Sequence, residues 1–237
     1  VEGNAAREAR LPDVPSSKPK PVVTPEQVAR LLHAVAETEI EHLVVLIAHT
    51  GCRIGEALGA KWDDFDFDAG IWLVQRTVTR TRTGGVVLGS TTKAGNERRV
   101  VLSDEAMSAL HAQRRSVAQM RLSAGRLWQD HGLAFPTVVG TPRCTNNART
   151  RLRPLARQAG FPASFHALRH FMVSIAAASG VPIAVIAKIV GHKRVSTTQD
   201  LYSHLFESDA RAASNAVSSA VNRAFAEEAR RRNPTSG

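Results

Sequence analysis

The chain has 237 residues, with 31 lysines and arginines against 21 aspartates and glutamates, a formal charge of +10. An apolar content of 43% is enough for a core, so this is not a disordered basic tail, and the charge favours a polyanionic partner. Aromatics are only 5%, with one tyrosine, Tyr202, which argues against single-strand binding by base stacking. The longest apolar run, Leu43 to Ala48, is far short of a membrane span, and the charged N-terminus lacks a signal-peptide core. Two cysteines, Cys52 and Cys144, make neither a disulfide framework nor a zinc set, so a cytoplasmic protein with reduced thiols is expected. No G-x-x-x-x-G-K-[ST] is present, which removes a Walker-type nucleotide site.

Residues 1–23 are rich in proline, charge and small side chains, and read as a linker. Order begins at Thr24-Pro25-Glu26-Gln27, where a cap, an N1 proline and a capping-box glutamine coincide ahead of the stripe Val28, Leu31, Leu32, Val35. A second helix is predicted over Glu39 to His49, stopped at Gly51, and a third from Arg53 to about Ala60. Strand composition follows at Ile71–Val74, Thr77–Thr79, Val86–Leu88 and Arg99–Leu102, with Lys93-Ala94-Gly95-Asn96 at a hairpin tip. Ser103 opens a helix to about Leu122, and an arginine-dense helix spans Asn146 to Gln158. Helices from Ser164 to Ser179, Pro182 to Val190, Ser196 to Leu205 and Ser208 to Arg230 complete the chain. The expected fold class is α+β and mainly helical, one domain with a small three-stranded antiparallel sheet.

Four segments carry chemistry: Gly51-Cys52-Arg53-Ile54-Gly55-Glu56-Ala57-Leu58, the Thr92-Lys93 hairpin, His166-Ala167-Leu168-Arg169-His170, and Gly191-His192 leading to Thr198-Gln199-Asp200-Leu201-Tyr202-Ser203-His204. In this order they resemble the catalytic domain of the tyrosine recombinases, the phage-integrase family, over nearly all of Thr24 to His204. The resemblance implies a site-specific recombinase that cleaves and rejoins double-stranded DNA through a 3′-phosphotyrosine link at Tyr202, without ATP, metal or other cofactor. Arg53 and Arg169 match the family's phosphate clamps, Lys93 the lysine that protonates the 5′ leaving oxygen, and His166 and His192 the histidines beside the nucleophile and phosphate. Guanidinium suits the clamp because it stays charged and offers a planar fork of donors.

Each residue also has a plainer reading. Arg53 and Glu56, three apart, can be a helix ion pair, or Glu56 can orient the guanidinium. His166 and His170 stand at i, i+4, a zinc-ligand spacing, but Ala167 fills the place of the glutamate and no third ligand follows. His170 is expected to be a buried support for the fold or for Arg169. In the hairpin, Arg98 and Arg99 are expected to contact DNA phosphates, and Arg143, Arg149, Arg151, Arg153 and Arg157 form either a solvated face or a track for backbone phosphates.

The resemblance further implies a homo-tetramer on synapsed DNA, with accessory DNA-bending or directionality proteins, and a monomer without DNA. Residues 24–207 would be the catalytic domain and 208–237 a terminal helix and basic tail that docks on a neighbouring subunit. Only the linker-like residues 1–23 stand where the family's core-binding domain is expected, so weak, salt-sensitive binding and poor recombination are expected of this chain alone. A type IB topoisomerase-like nicking-closing enzyme and an inactive DNA-binding regulator are the alternative functions.

Overall fold

The computed structural model describes residues 23–81, 84–90 and 97–191. Helix α1 (Pro25–Val35) starts with the expected reciprocal cap: Thr24 Oγ1 accepts from the Gln27 amide at 3.3 Å, and Gln27 Oε1 accepts from the Thr24 amide at 3.0 Å. Val28, Leu31 and Val35 form its buried stripe. Val23, the last residue of the expected linker, is itself buried in the core. Helix α2 (Glu41–Thr50) runs through the middle of the molecule with Leu43, Val44, Leu46 and Ile47 all buried, and packs against α1, α4 (Asp104–Ala124) and α6 (Phe165–Ala178). It ends where expected, because Gly51 adopts the left-handed conformation (φ 62°) that L side chains rarely take.

Helix α3 (Ile54–Gly59) is a short turn and a half lying on strand β3 (Arg76–Arg80). Two glycines permit the approach. A Cβ on Gly55 would lie 2.8 Å from Thr77 Oγ1, and one on Gly59 about 3.0 Å from the Thr77 backbone.

The strands form two sheets where one was expected. Strands β1 (Phe65–Asp66), β2 (Ile71–Val74) and β5 (Arg98–Val101) make an antiparallel sheet in the order β1-β2-β5, with Trp72 opposite Val100 and Val74 opposite Arg98. Strand β3 pairs with β4 (Val86–Ser90) as a separate hairpin in which Val78 faces Leu88. Both edges of β2 are occupied, by β1 and β5, so β3 has no place beside it. The chain leaves the first sheet at Gln75, where buried Asp64 accepts from Gln75 Nε2 at 2.7 Å and pairs with Arg76.

Helix α4 (Asp104–Ala124) is capped by Ser103 and ends at Gly125, slightly beyond its expected end. Helix α5 (Thr145–Gln158) buries Ala148, Leu152 and Ala156 and leaves its arginines on the other face. It is tied to α1 by Arg30 Nε, 3.1 Å from the Ala159 carbonyl. Helix α6 (Phe165–Ala178), capped by Ser164, packs on α2, and α7 (Ile183–Val190) packs on α6 through Val173, Ile186 and Val190. The predicted helices Ser196 to Leu205 and Ser208 to Arg230, and linker residues 1–22, lie outside the described residues. Among the described residues no helix is long and apolar enough to cross a membrane.

The close seat of α3 on β3 sets up a test in which two effects have opposite sign. Helix propensity alone favours Gly59→Ala by up to about 1 kcal/mol. The added Cβ must displace the Thr77 backbone, so a net destabilisation of about 1–3 kcal/mol is expected in urea unfolding at pH 7.

Candidate active site

The three residues Gly51, Cys52 and Arg53 join α2 to α3, and Arg53 is the N-cap of α3. Glu56, one turn into the helix, folds back so that Oε2 accepts from the Arg53 amide at 2.9 Å. Its Oε1 accepts from Arg53 Nη1 at 2.9 Å. A second guanidinium arrives from the first residue of β5: Arg98 Nη1 is 3.0 Å from Oε1 and Nη2 is 2.6 Å from Oε2. Each carboxylate oxygen therefore receives two donors, the full complement of an ionised carboxylate. Glu56 and Arg98 side chains are 4% and 6% exposed, whereas that of Arg53 is 50% exposed. The carboxylate thus holds one guanidinium inside the protein and presents the other to solvent.

The second half of the site is built by α6 and α7. Arg169, buried on α6, donates from Nη1 to the Gly51 carbonyl at 2.7 Å. Its Nη2 is shielded from solvent and has no hydrogen-bond partner among the described residues. Arg53 Nη2 donates to the Gly191 carbonyl at 2.9 Å, and Arg98 Nε to the Ile189 carbonyl at 2.7 Å. His166 is exposed one turn before Arg169 on the same helix, and half-buried His170 stands edge-on to it, ring centroids 4.3 Å apart.

Burial alone would raise the Glu56 pKa. The hydrogen bonds and charge of Arg98, then the amide and charge of Arg53, outweigh it and hold the carboxyl below the usual range. Burial, and after it the positive charge of Arg53, bring Arg169 down to about 10, with Arg98 adding to the effect and Glu56 opposing it. Arg169 remains a cation at neutral pH, in surroundings where an anion would relieve both burial and repulsion. Burial also pushes the Cys52 thiol up to about 12, so this neighbour of Arg53 is inert as a nucleophile.

The expected phosphate-contact arginines divide. Arg98 is turned inward onto Glu56, which corrects its reading as a phosphate contact. Arg143 is corrected for the same reason: it is buried, with Nε and Nη2 at 3.3 and 3.1 Å from the Pro136 carbonyl and Nη1 at 3.5 Å from Glu39. Arg99, Arg149, Arg151, Arg153 and Arg157 are exposed, with Arg151 Nε 2.7 Å from Glu39 and Arg149 bonded to Asn146 of its own helix. Lys93, His192 and Tyr202 lie outside the described residues; in the chain, Lys93 falls between β4 and β5, and His192 directly follows Gly191. Among the described residues no three His, Cys, Asp or Glu side chains are grouped to hold a metal.

The site-building role of Arg98 escaped sequence reasoning, although a signal existed. In Arg98-Arg99-Val100-Val101 the period-two alternation puts Arg98 in phase with buried Val100, and Arg99 with exposed Val101. The carbonyls of Gly51, Ile189 and Gly191 carry no sequence signal at all.

The buried carboxylate gives a pH signature. Glu56→Gln removes the charge that balances Arg98 and is expected to cost about 3–5 kcal/mol at pH 7. Since the folded-state pKa lies below the ordinary value of 4.5, the wild-type advantage is complete above pH 4.5 and is lost as pH falls through the depressed value. Urea unfolding of both proteins from pH 7 to pH 3 should show a gap that holds to about pH 4.5 and closes only below it.

The Phage integrase family profile matches residues 21–209. The chain is 26% identical over 192 residues to a tyrosine recombinase XerC-like protein of Caldanaerobacter subterraneus, covering 76% of this chain and 49% of that one. It is 30% identical over 201 residues to the tyrosine recombinase XerA of Thermococcus kodakarensis, covering 82% and 61%. The fold is similar to that of the Tn1549 transposon integrase in complex with transposon right end DNA, with a TM-score of 0.74 at 19% identity over 89% of this chain and 71% of that one. The chain spans about half the length of the curated relatives it matches first. A profile match over most of the sequence, together with a fold shared with solved members, establishes that the chain belongs to the phage integrase family.

Proposed function

We propose that this chain is the catalytic part of a site-specific recombinase that cuts and rejoins double-stranded DNA through a covalent tyrosine link. The observation that carries the reading is the charge balance of the site: among the described residues, Arg53 and Arg98 bond the Glu56 carboxylate, which is also the one carboxylate bearing on Arg169. Arg98 is spent on that carboxylate, which leaves the exposed Arg53 and the unpaired Nη2 of Arg169 to receive an anion with two non-bridging oxygens.

The reaction proceeds by attack of the Tyr202 oxygen on a backbone phosphorus. A P–O bond to the phenol forms as the bond to the 5′ oxygen breaks, giving a 3′-phosphotyrosyl end and a free 5′ hydroxyl. His166 takes the phenolic proton or steadies the phosphate, Lys93 gives a proton to the 5′ oxygen, and His192 donates to a phosphate oxygen. Charge that grows on the non-bridging oxygens is met by Arg53 and Arg169. Attack by a 5′ hydroxyl reverses each step, so the bond energy is kept and no nucleotide is consumed. Recombination needs four such subunits on two DNA sites, with residues 24–207 as the catalytic unit and 208–237 docked on a neighbour, in the cytoplasm where the DNA lies. The Tn1549 transposon integrase, which shares this fold and was solved in complex with transposon right end DNA, supports the choice of substrate.

The test is incubation with a nicked duplex half-site, which releases the short 5′ strand and traps the adduct, followed by a denaturing gel. The unaltered chain should accumulate a protein–DNA adduct, and Tyr202→Phe none; an adduct with Tyr202→Phe overturns the mechanism. Arg169→Ala should slow adduct formation about 10²–10³-fold. Replacing exposed Arg99, Arg149 or Arg153 by Gln should lower the salt slope of duplex binding by about 0.9 each, with little change in cleavage at saturating DNA.

A further inference from the structure

The strongest feature left unused by this mechanism is the position of Arg98, whose side chain is only 6% exposed. Its guanidinium meets the Glu56 carboxylate as a two-pronged fork, at 3.0 and 2.6 Å, while Nε reaches sideways to the Ile189 carbonyl at 2.7 Å. Ile189 and its neighbours form the last turn of α7, where backbone carbonyls lack partners within the helix and favour a cation. Gly191 closes that helix in the left-handed conformation (φ 72°), and a Cβ there would stand 2.8–3.1 Å from the Arg98 guanidinium atoms. A side chain here would have to displace the Arg98 guanidinium and would also strain the left-handed backbone at the point where α7 ends.

From this geometry we infer that Arg98 is a positioning residue for strand cleavage, joining the Glu56 carboxylate that aims Arg53 to the end of α7 that leads into His192. The inference rests on the recombinase reading of the site. Three chain segments converge on this one side chain. Glu56 carries the aim of Arg53; the Ile189 carbonyl fixes the last turn of α7; and Arg98 itself follows the Thr91–Asn96 segment that contains Lys93, with only Glu97 between. Lysine cannot replace this function. Its donors all radiate from one nitrogen, which cannot hold the planar fork and the sideways bond together.

This role is opposite in its kinetic signature to the phosphate contact expected of Arg98 from sequence. A phosphate contact supplies affinity, whereas a positioning residue leaves affinity unchanged and lowers the rate once DNA is bound. The experiment compares the full chain and its Arg98→Lys variant on the nicked half-site, measuring the dissociation constant against salt and the single-turnover rate of adduct formation at saturating DNA. Arg98→Lys should bind with the same affinity within about twofold and the same salt slope, and cleave about 10²-fold more slowly, the scale of a small misplacement of a reacting group. A second readout separates positioning from general damage. In an Arg53→Lys background the further Arg98→Lys change should cost much less than it does alone, because both act on the same guanidinium.

A salt slope reduced by about 1 with an unchanged saturating rate would overturn the inference and restore the phosphate contact. Full multiplicative effects in the Arg53→Lys background would overturn it as well. Should Arg98→Lys lack the far-ultraviolet circular dichroism of the folded chain, Gly191→Ala, whose Cβ would displace the Arg98 guanidinium while keeping every charge, takes its place. It must show the same split between affinity and rate, and its failure to do so overturns the inference. A wild-type chain that forms no adduct overturns the recombinase reading and this inference together, while an active wild type with either adverse result overturns the inference alone.

Discussion

A carboxylate placed in the protein interior sets the terms for everything around it. Glu56 is almost wholly removed from water, a position that disfavours its charge unless every lone pair is matched. Four donors match it: one amide, one nitrogen of Arg53 and two of Arg98. The dependence also runs the other way, since Arg98 is as deeply placed as Glu56 and needs that negative charge. A helix N-terminus (α3), a strand start (β5) and a helix end (α7) are thereby drawn to one point, and the remaining elements pack around this convergence.

The arginines share a second physical device. Each places a nitrogen on a carbonyl at or just beyond a helix C-terminus: Arg169 on Gly51 after α2, Arg98 on Ile189 near the end of α7, and Arg53 on Gly191 after α7. Such carbonyls carry the negative end of the helix dipole and lack partners within the helix. Three like charges can stand close together because each is partly balanced by backbone dipoles that cannot be titrated away. Among the described residues Glu56 supplies the only carboxylate bearing on Arg169, and the surplus of positive charge there is what fits the site to an anion.

Local chemistry made much of this legible in advance. The Thr24–Gln27 capping box, the Gly51 stop and the Ser103 and Ser164 caps all act within a few residues, and the helices they bound start and stop close to where those signals place them. Arg53 and Glu56 were readable as neighbours because three residues on a helix make one face. What was not legible depends on long-range competition. The division into two sheets follows from β1 and β5 occupying both edges of β2, which no window around Thr77 contains. The inward turn of Arg143 depends on Glu39 and the Pro136 carbonyl, and its charge suggested the surface. Arg98 was misread because net charge was given more weight than its phase with Val100.

The connection between α2 and α3 has a mechanical consequence. The carbonyl that anchors Arg169 belongs to Gly51, and Arg53 is only two residues further along the same strand of chain. At no more than about 3.6 Å per residue, the carbonyl that receives Arg169 and the root of Arg53 stay within roughly 7 Å of each other, whatever the helices behind them do. Arg169 itself is rooted on α6, so breathing of α2 against α6 loads its hydrogen bond to Gly51 and leaves the short span from that carbonyl to Arg53 unchanged. Lengthening this connection by one residue would alter that span directly, so insertions tolerated in surface loops would be disruptive here. One jaw of the site is thus set by backbone bond lengths, and the packing of α6 sets the other.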